Sequence, residues 1–404
     1  SPFGYNLEIF GCMGCVSGSH RKNLHGASVE PSEDTRRVVE KILQVAESSG
    51  SVIVKDRHFG DREMRCLADT VVERAIKLHT LHLEGCSCTP LGAAVIAEML
   101  RSAHLNITSL ILISNPLGFE GVRSLARTLT SLTLGSTEAP VNTVKKAGGA
   151  VLREMLDSNT TLTFLDASEN CVNAETCRAI ACALQKSTCA VTSLRLANNA
   201  FDAEAALPLS LMLRINTTLT SLDATGACLG LDGTRAFTYA LKRSNVTLKV
   251  LNLSYQILPF GDDCAEAVAE MLEENAGLTD LILDGNSISD RGCKALSVPL
   301  QKNRTLKRLS LVKNGHTEAG KHIGDTSAIA MATMLMVNTS LICLDLSRNR
   351  IGELGGATFC RALADGHPSL VELRLADQHS DVDSPSEASV CGHLSVVLCK
   401  PNTR

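Results

Sequence analysis

The chain has 404 residues, 44% hydrophobic but only 3% aromatic and without tryptophan, so it exceeds one ordinary compact core and must pack with aliphatic side chains. A formal net charge of −4 and a pI near 6.3 leave no basic footprint of a nucleic-acid binder. No apolar run approaches the ~20 residues that span a bilayer, and no secretory signal opens the chain.

Residues 1–34 are rich in Gly, Ser and His, lack periodicity, and read as a disordered leader. Two motifs in it carry chemistry. In Met13-Gly14-Cys15-Val16-Ser17, a start at Met13 would place Gly14 for myristoylation and Cys15 for palmitoylation, beside His20, Arg21 and Lys22. The Ser/Thr expected further along is Gly18, flanked by Ser17 and Ser19. Cys12, Cys15, His20 and His25 have zinc-knuckle spacing but no aromatic residues for stacking on bases. The two readings exclude each other, and an ordinary leader with no metal or cofactor is the simpler expectation.

Glu33–Gln44 places Val38, Val39, Ile42 and Leu43 at helical spacing, which predicts a capping helix over 35–50. From 51 to 377 the chain repeats itself. Leu162-x-x-Leu165-x-Ala167-x-x-Asn170-x-Val172 returns as Val191-x-x-Leu194-x-Leu196-x-x-Asn199-x-Phe201, and again from Leu278 and Leu341, mostly 28 to 30 residues apart. A distorted copy lies near Leu129-Leu132-Leu134. Between copies, apolar pairs such as Ile180/Leu184, Leu209/Leu213, Phe237/Leu241 and Val268/Leu272 share one helix face. Each unit is thus one strand and one helix, and stacking buries what one unit cannot.

Asn170, Asn199, Asn286, Asn314 and Asn349 follow strands, and Asn159, Asn216, Asn245, Asn275, Asn303 and Asn338 precede them, where an amide can satisfy turn backbone. Five of these asparagines open glycosylation sequons, and the repeat register accounts for them structurally. Many of the 16 cysteines, such as Cys171, Cys182 and Cys343, sit at small-apolar positions of the repeat, and the cysteines read as buried free thiols in a reducing, cytoplasmic compartment. Insertions fall at Gly135–Ala147 and Lys313–Asp325. The second contains Gly315-x-x-x-x-Gly320-Lys321 but has His322 where a phosphate loop needs Ser or Thr, so it reads as a solvated insertion. Residues 378–404 read as a loop followed by a closing helix at Glu387–Leu398.

The pattern L-x-x-L-x-L-x-x-N/C-x-L over residues 51–377 resembles the ribonuclease-inhibitor class of leucine-rich repeats. The resemblance implies an α/β solenoid, a horseshoe of about eleven repeats with parallel strands on the concave face and helices on the convex face. It does not imply one function, because nuclease inhibitors, Ran GTPase activators, actin regulators, innate sensors and ciliary proteins share the repeat.

Residues flanking the inward leucines would form a concave binding face. The predicted partner-binding residues are Asp166, Arg195, Asp223, Asn252, Asp284, Arg308, Asp345 and Arg374, with an apolar patch at Ile111, Ile113 and Phe164. Arg195, Arg308 and Arg374 are the expected anchors. Without Trp and almost without Tyr, moderate affinity is expected. No catalytic triad can be assembled, and His82 and Glu84 beside Cys86 and Cys88 read as a coincidence of the repeat. The expected function is a non-catalytic, monomeric scaffold binding a protein partner, membrane-associated if acylated. The alternatives are a GTPase-activating protein resembling the Ran activators, which commonly carry an acidic tail unlike Lys400–Arg404 here, and a cytoskeletal or ciliary component.

Overall fold

The computed structural model describes residues 31–55, 58–102, 109–113, 115–125, 131–133, 152–154, 156–157, 159–170, 172–314, 322–364, 366–378 and 397–398. The leader with Gly14 and Cys15, the Cys12/His20/His25 set, Cys171, the Gly135–Ala147 insertion and Gly315–Lys321 lie outside these. The chain divides into two compact units, Ser1–Asp166 and Ala167–Arg404.

The first unit opens with a helix at Glu33–Ser49, which runs past the C-terminal end of the 33–44 periodicity. Ser32 Oγ accepts the Thr35 N–H at 3.1 Å, and Gly50, at φ 67°, ends the helix in the left-handed region. Strands β1 Ser51–Val54, β2 Thr80–Glu84, β3 Ser109–Ile113, β4 Ser131–Thr133 and β5 Phe164–Asp166 follow. They pair in parallel and in chain order, with Val52, Leu81, Leu110, Leu132 and Leu165 in one row. In the distorted repeat, Leu132 carries the row. Helices Asp61–Glu73, Pro90–Met99 and Gly118–Leu125 alternate with the strands.

The second unit continues the pattern with β6 Ser193–Arg195, β7 Ser221–Asp223, β8 Val250–Asn252, β9 Asp280–Ile282, β10 Arg308–Ser310, β11 Cys343–Asp345 and β12 Glu372–Arg374. Helices Ala174–Leu184, Ala203–Leu213, Gly230–Arg243, Asp262–Leu272, Asp290–Leu300, Asp325–Leu335 and Glu353–Ala362 alternate with them. The apolar pairs read from the sequence, Ile180/Leu184, Leu209/Leu213, Phe237/Leu241 and Val268/Leu272, are buried on the sheet side of their helices. One expectation is corrected: Val397–Leu398, assigned to a closing helix, is strand β13, antiparallel to β12 with Leu373 opposite Val397. The edge hydrogen bonds that β12 leaves open outweigh a weak helical pattern.

Three devices stitch repeat to repeat. The asparagines before β7 to β11 are buried and bonded to the backbone of the preceding repeats, as at Asn245, whose Nδ2 donates to the Leu213 carbonyl at 2.7 Å while Oδ1 accepts from Thr247 and Leu248 N–H. The sequon asparagines Asn159, Asn216, Asn245, Asn303 and Asn338 are all interior. Second, a carboxylate in the first turn of one helix caps the next. Asp262 Oδ1 accepts from Ser289 and Gly292 N–H, Asp290 from Gly324 and Ser327, and Asp325 from Gly352 and Gly355.

Third, one residue after each second-unit strand turns the chain in the left-handed region. Asn198, Gly226, Tyr255, Gly285, Lys313, Arg348 and Asp377 take φ between 51° and 65°. Gly285 has a second reason to be glycine, since a Cβ there would run into the Tyr255 ring. Gly285→Ala is expected to cost about 1–2 kcal/mol through the left-handed penalty alone, read as a lower urea midpoint; an unchanged midpoint would refute the packing described here.

Candidate interaction face

Each of β6 to β12 is three residues long, with a leucine in the middle turned to the helices and its two neighbours turned to the open side. Pairing then aligns the neighbours into rows. One row reads Arg195, Asp223, Asn252, Ile282, Ser310, Asp345, Arg374. The other ends in Asp280, Arg308, Cys343 and Glu372. The structure therefore brings six of the eight predicted polar residues onto one face of the second unit. Asp166 ends β5 in the first unit, and Asp284 sits in the turn after β9.

Several of these residues have structural work. Asp223 Oδ1 accepts from the Thr225 N–H at 3.0 Å and its hydroxyl at 2.6 Å, and Asn252 does the same with Ser254. Three expectations need correction. Asp166 and Asp345 are only 8% and 9% exposed. Asp345 accepts from Ser347 N–H and from Arg374 Nη1 at 3.3 Å, so it supports the face instead of presenting to a partner. Asp284 is half-buried, accepting from Ser310 Oγ at 2.6 Å and Val312 N–H at 2.8 Å; burial raises its carboxyl above the ordinary range. The alternation that aims a side chain outward does not say whether a neighbouring strand then covers it.

Arg308 and Arg374 are exposed, as expected of anchors. Arg308 Nε lies 3.5 Å from Asp280 Oδ1, and Arg374 makes a two-pronged contact with Glu372 at 2.7 and 2.9 Å. That contact raises the Arg374 pKa and holds the Glu372 carboxyl below its ordinary value. Between them Cys343 is half-exposed on the open side, not buried as its repeat position suggested, because residue 343 precedes the inward Leu344. Its thiol donates to Glu372 Oε2 at 3.5 Å and is pushed up to about 11, chiefly by burial, so it stays a thiol. Cys177 and Cys293 are buried and pushed up to about 12, and the described cysteines are all free.

The apolar patch is looser than predicted. Ile111 and Phe164 are half-buried, two strands apart and in different rows, so their strands lie roughly 10 Å apart. Ile113 ends β3 opposite Glu84. His82 Nε2 lies 3.1 Å from Glu84 Oε2, which Lys55 Nζ also reaches at 3.0 Å, while Cys86 and Cys88 are buried. Among the described residues no group of three or more His, Cys, Asp or Glu is arranged to hold a metal, and no helix is long and apolar enough to cross a membrane. The helix after the phosphate-loop-like stretch starts at Asp325, not at Lys321.

The sequence reading missed Tyr255. It is half exposed beside the row of open-side residues, and Ile257 and Leu258 are exposed in the same loop. The available signal was a tyrosine at the register where the adjacent repeats have Gly226 and Gly285. The loop adds an aromatic and aliphatic cluster to a face otherwise short of hot-spot side chains.

A Leucine Rich repeat family model matches residues 274–297 and 337–360. The chain is 29% identical over 256 residues to mouse (Mus musculus) NACHT, LRR and PYD domains-containing protein 12, across 62% of this chain and 23% of that protein. It is 29% identical over 267 residues to human (Homo sapiens) NACHT, LRR and PYD domains-containing protein 5, across 65% of this chain and 22% of that protein. Pig (Sus scrofa) ribonuclease inhibitor is 26% identical over 332 residues, which cover 81% of this chain and 70% of the inhibitor. The chain thus spans less than a quarter of the length of these two NACHT proteins but most of the inhibitor's.

Proposed function

The chain belongs to the leucine-rich-repeat proteins of the ribonuclease-inhibitor type, and from that premise we propose that it is a scaffold that binds a protein partner through the open face of its second-unit sheet. The observation that carries this reading is the in-register row from Arg195 to Arg374, a charged row on the side of the strands opposite the inward leucines. Arg308 and Arg374, oriented by Asp280 and Glu372, supply directional charge, and Tyr255 with Ile257 supplies apolar area beside it. Such a face suits charge-guided recognition, in which exposed pairs set specificity and association rate more than tight binding. Similarity to a protein named as a ribonuclease inhibitor supports macromolecular binding as the class of function.

The test is affinity capture from native cells with the intact chain and with a doubly reversed variant, Asp223→Arg with Arg308→Glu, both shown to be equally folded. The partner captured by the intact chain should bind the variant at least tenfold more weakly in a direct titration, about 1.4 kcal/mol. If the same partner binds both alike, the open face is not its site.

A further inference from the structure

The helices of the second unit carry a second surface that the open-face reading does not use. Solvent-facing positions recur four residues apart along each helix. On Ala203–Leu213 and its end they are Leu207, Leu211 and Ile215, which are 51%, 48% and 62% exposed. The opposite side of the same helix buries Leu209, Met212 and Leu213 against the sheet. A helix apolar on both faces is expected to be covered on both; here only one is covered.

This helix and the two flanking it each expose a carboxylate in the first turn, Glu204, Glu175 and Asp232, and the flanking helices follow it with positive charge one turn further on. On one side Ala174–Leu184 exposes Arg178. On the other, Gly230–Arg243 exposes Arg235 and Tyr239, the latter 70% exposed, with the Arg214 guanidinium 5.7 Å from the ring centroid. Arg178, Arg214 and Arg235 have no carboxylate partner among the described residues. One helix further on, Glu274 pairs with Lys242 at 3.3 Å and Glu266 with Arg291 at 3.5 Å. An aliphatic stripe edged on both sides by unpaired guanidinium groups, with a tyrosine on the rim, has the composition of an interaction hot spot.

We propose that this helical face docks an acidic amphipathic helix of a protein partner. Its aliphatic side would lie along Leu207, Leu211 and Ile215, and carboxylates on its two edges would reach Arg178 on one side and Arg214 and Arg235 on the other. The occupant follows from charge complementarity: apolar anchors at helical spacing match the stripe, and acidic flanks match the cations. The first-turn carboxylates Glu175, Glu204 and Asp232, with Glu270 one helix on, repel any acidic overhang and set where the partner ends.

The experiment titrates a fluorescein-labelled synthetic helix, with leucines along one side and glutamates on both edges, against the full chain. Saturable, salt-sensitive binding is expected, weakened at least tenfold by Leu211→Glu and by Arg235→Glu and unaltered by Asp223→Arg with Arg308→Glu. Because the open-face variant and the helix-face variants are read in the same assay, failure of one reading is separate from failure of the other. Circular dichroism of each variant checks folding, which substitutions at exposed positions should preserve. Three outcomes overturn the proposal. No binding, or equal binding of a peptide with lysines in place of the glutamates, removes the charge argument. Binding of phosphatidylserine vesicles but not of the peptide, lost in Leu211→Glu, would assign the surface to a membrane. Self-association of the chain abolished by the same variant would assign it to a second copy.

Discussion

Replacing Asn275 with alanine is expected to destabilise the chain by about 3 kcal/mol, since the groups it leaves bare are buried backbone, each worth roughly 1–3 kcal/mol when unsatisfied. Asn275 Nδ2 donates to the carbonyls of Leu241 at 2.6 Å and Asn245 at 3.2 Å. Its Oδ1 accepts from Gly277 N–H at 3.0 Å and Leu278 N–H at 2.8 Å. One side chain therefore ties three successive repeats, and the alanine variant orphans four groups in a site only 5% exposed. Partial entry of water keeps the loss below the sum. Gly277 cannot yield to fill the gap, because a Cβ there would already meet the Val246 backbone at 2.6 Å. Urea denaturation measures the effect, and hydrogen exchange at Gly277 and Leu278 localises it. A loss under about 1 kcal/mol would mean that water replaces the amide freely.

The second large effect concerns the last repeat, where His367 stands at the asparagine position. Nδ1 accepts from Ser369 N–H at 3.1 Å and Leu370 N–H at 2.7 Å, and Nε2 lies 2.9 Å from the Leu335 carbonyl. The geometry requires the neutral ring with its proton on Nε2. Burial lowers its pKa from the ordinary 6.5. A folded-state pKa below the unfolded one means that the fold prefers the neutral form. The stabilisation is therefore complete above 6.5 and is lost as pH falls through the folded value.

Protonation would place a hydrogen on Nδ1 and turn both backbone donors away. At pH 8, His367→Ala should cost about 2–3 kcal/mol, as orphaned buried groups do. His367→Asn should restore most of it and also remove this residue's acid sensitivity, because asparagine makes the same bonds at the other repeats. Other groups titrate in the same range, so the quantity to measure is the difference between the parent chain and His367→Asn across pH 5 to 8. Parallel profiles would show that His367 does not titrate within the fold.

Much of this architecture was legible because its determinants are short-range. The two-residue alternation of the strands and the four-residue spacing in the helices are printed in the chain, and so is the repeat register that marked the asparagines. The same register could have flagged His367, three residues before Leu370 as Asn338 is before Leu341. It could likewise have flagged Tyr255 between two glycines.

The binding face was only half legible. Alternation correctly turned Asp223, Arg308 and Arg374 outward, but it could not foresee that Arg374 and the Ser347 turn would cover Asp345, or that Ser310 and Val312 would claim Asp284. Those contacts join residues 26 to 29 positions apart, except for the Ser347 turn, so they depend on what the adjacent strand happens to carry.

By itself, then, the sequence determined the repeat, the inward and outward sides of each element and the buried asparagines, since each follows from backbone periodicity within one unit. Only the tertiary structure decided which outward charges stay free, which carboxylate caps which neighbouring helix, and that Leu207, Leu211 and Ile215 lie uncovered between two edges of arginine. Burial and pairing are properties of stacked neighbours, and a single repeat does not contain its neighbour.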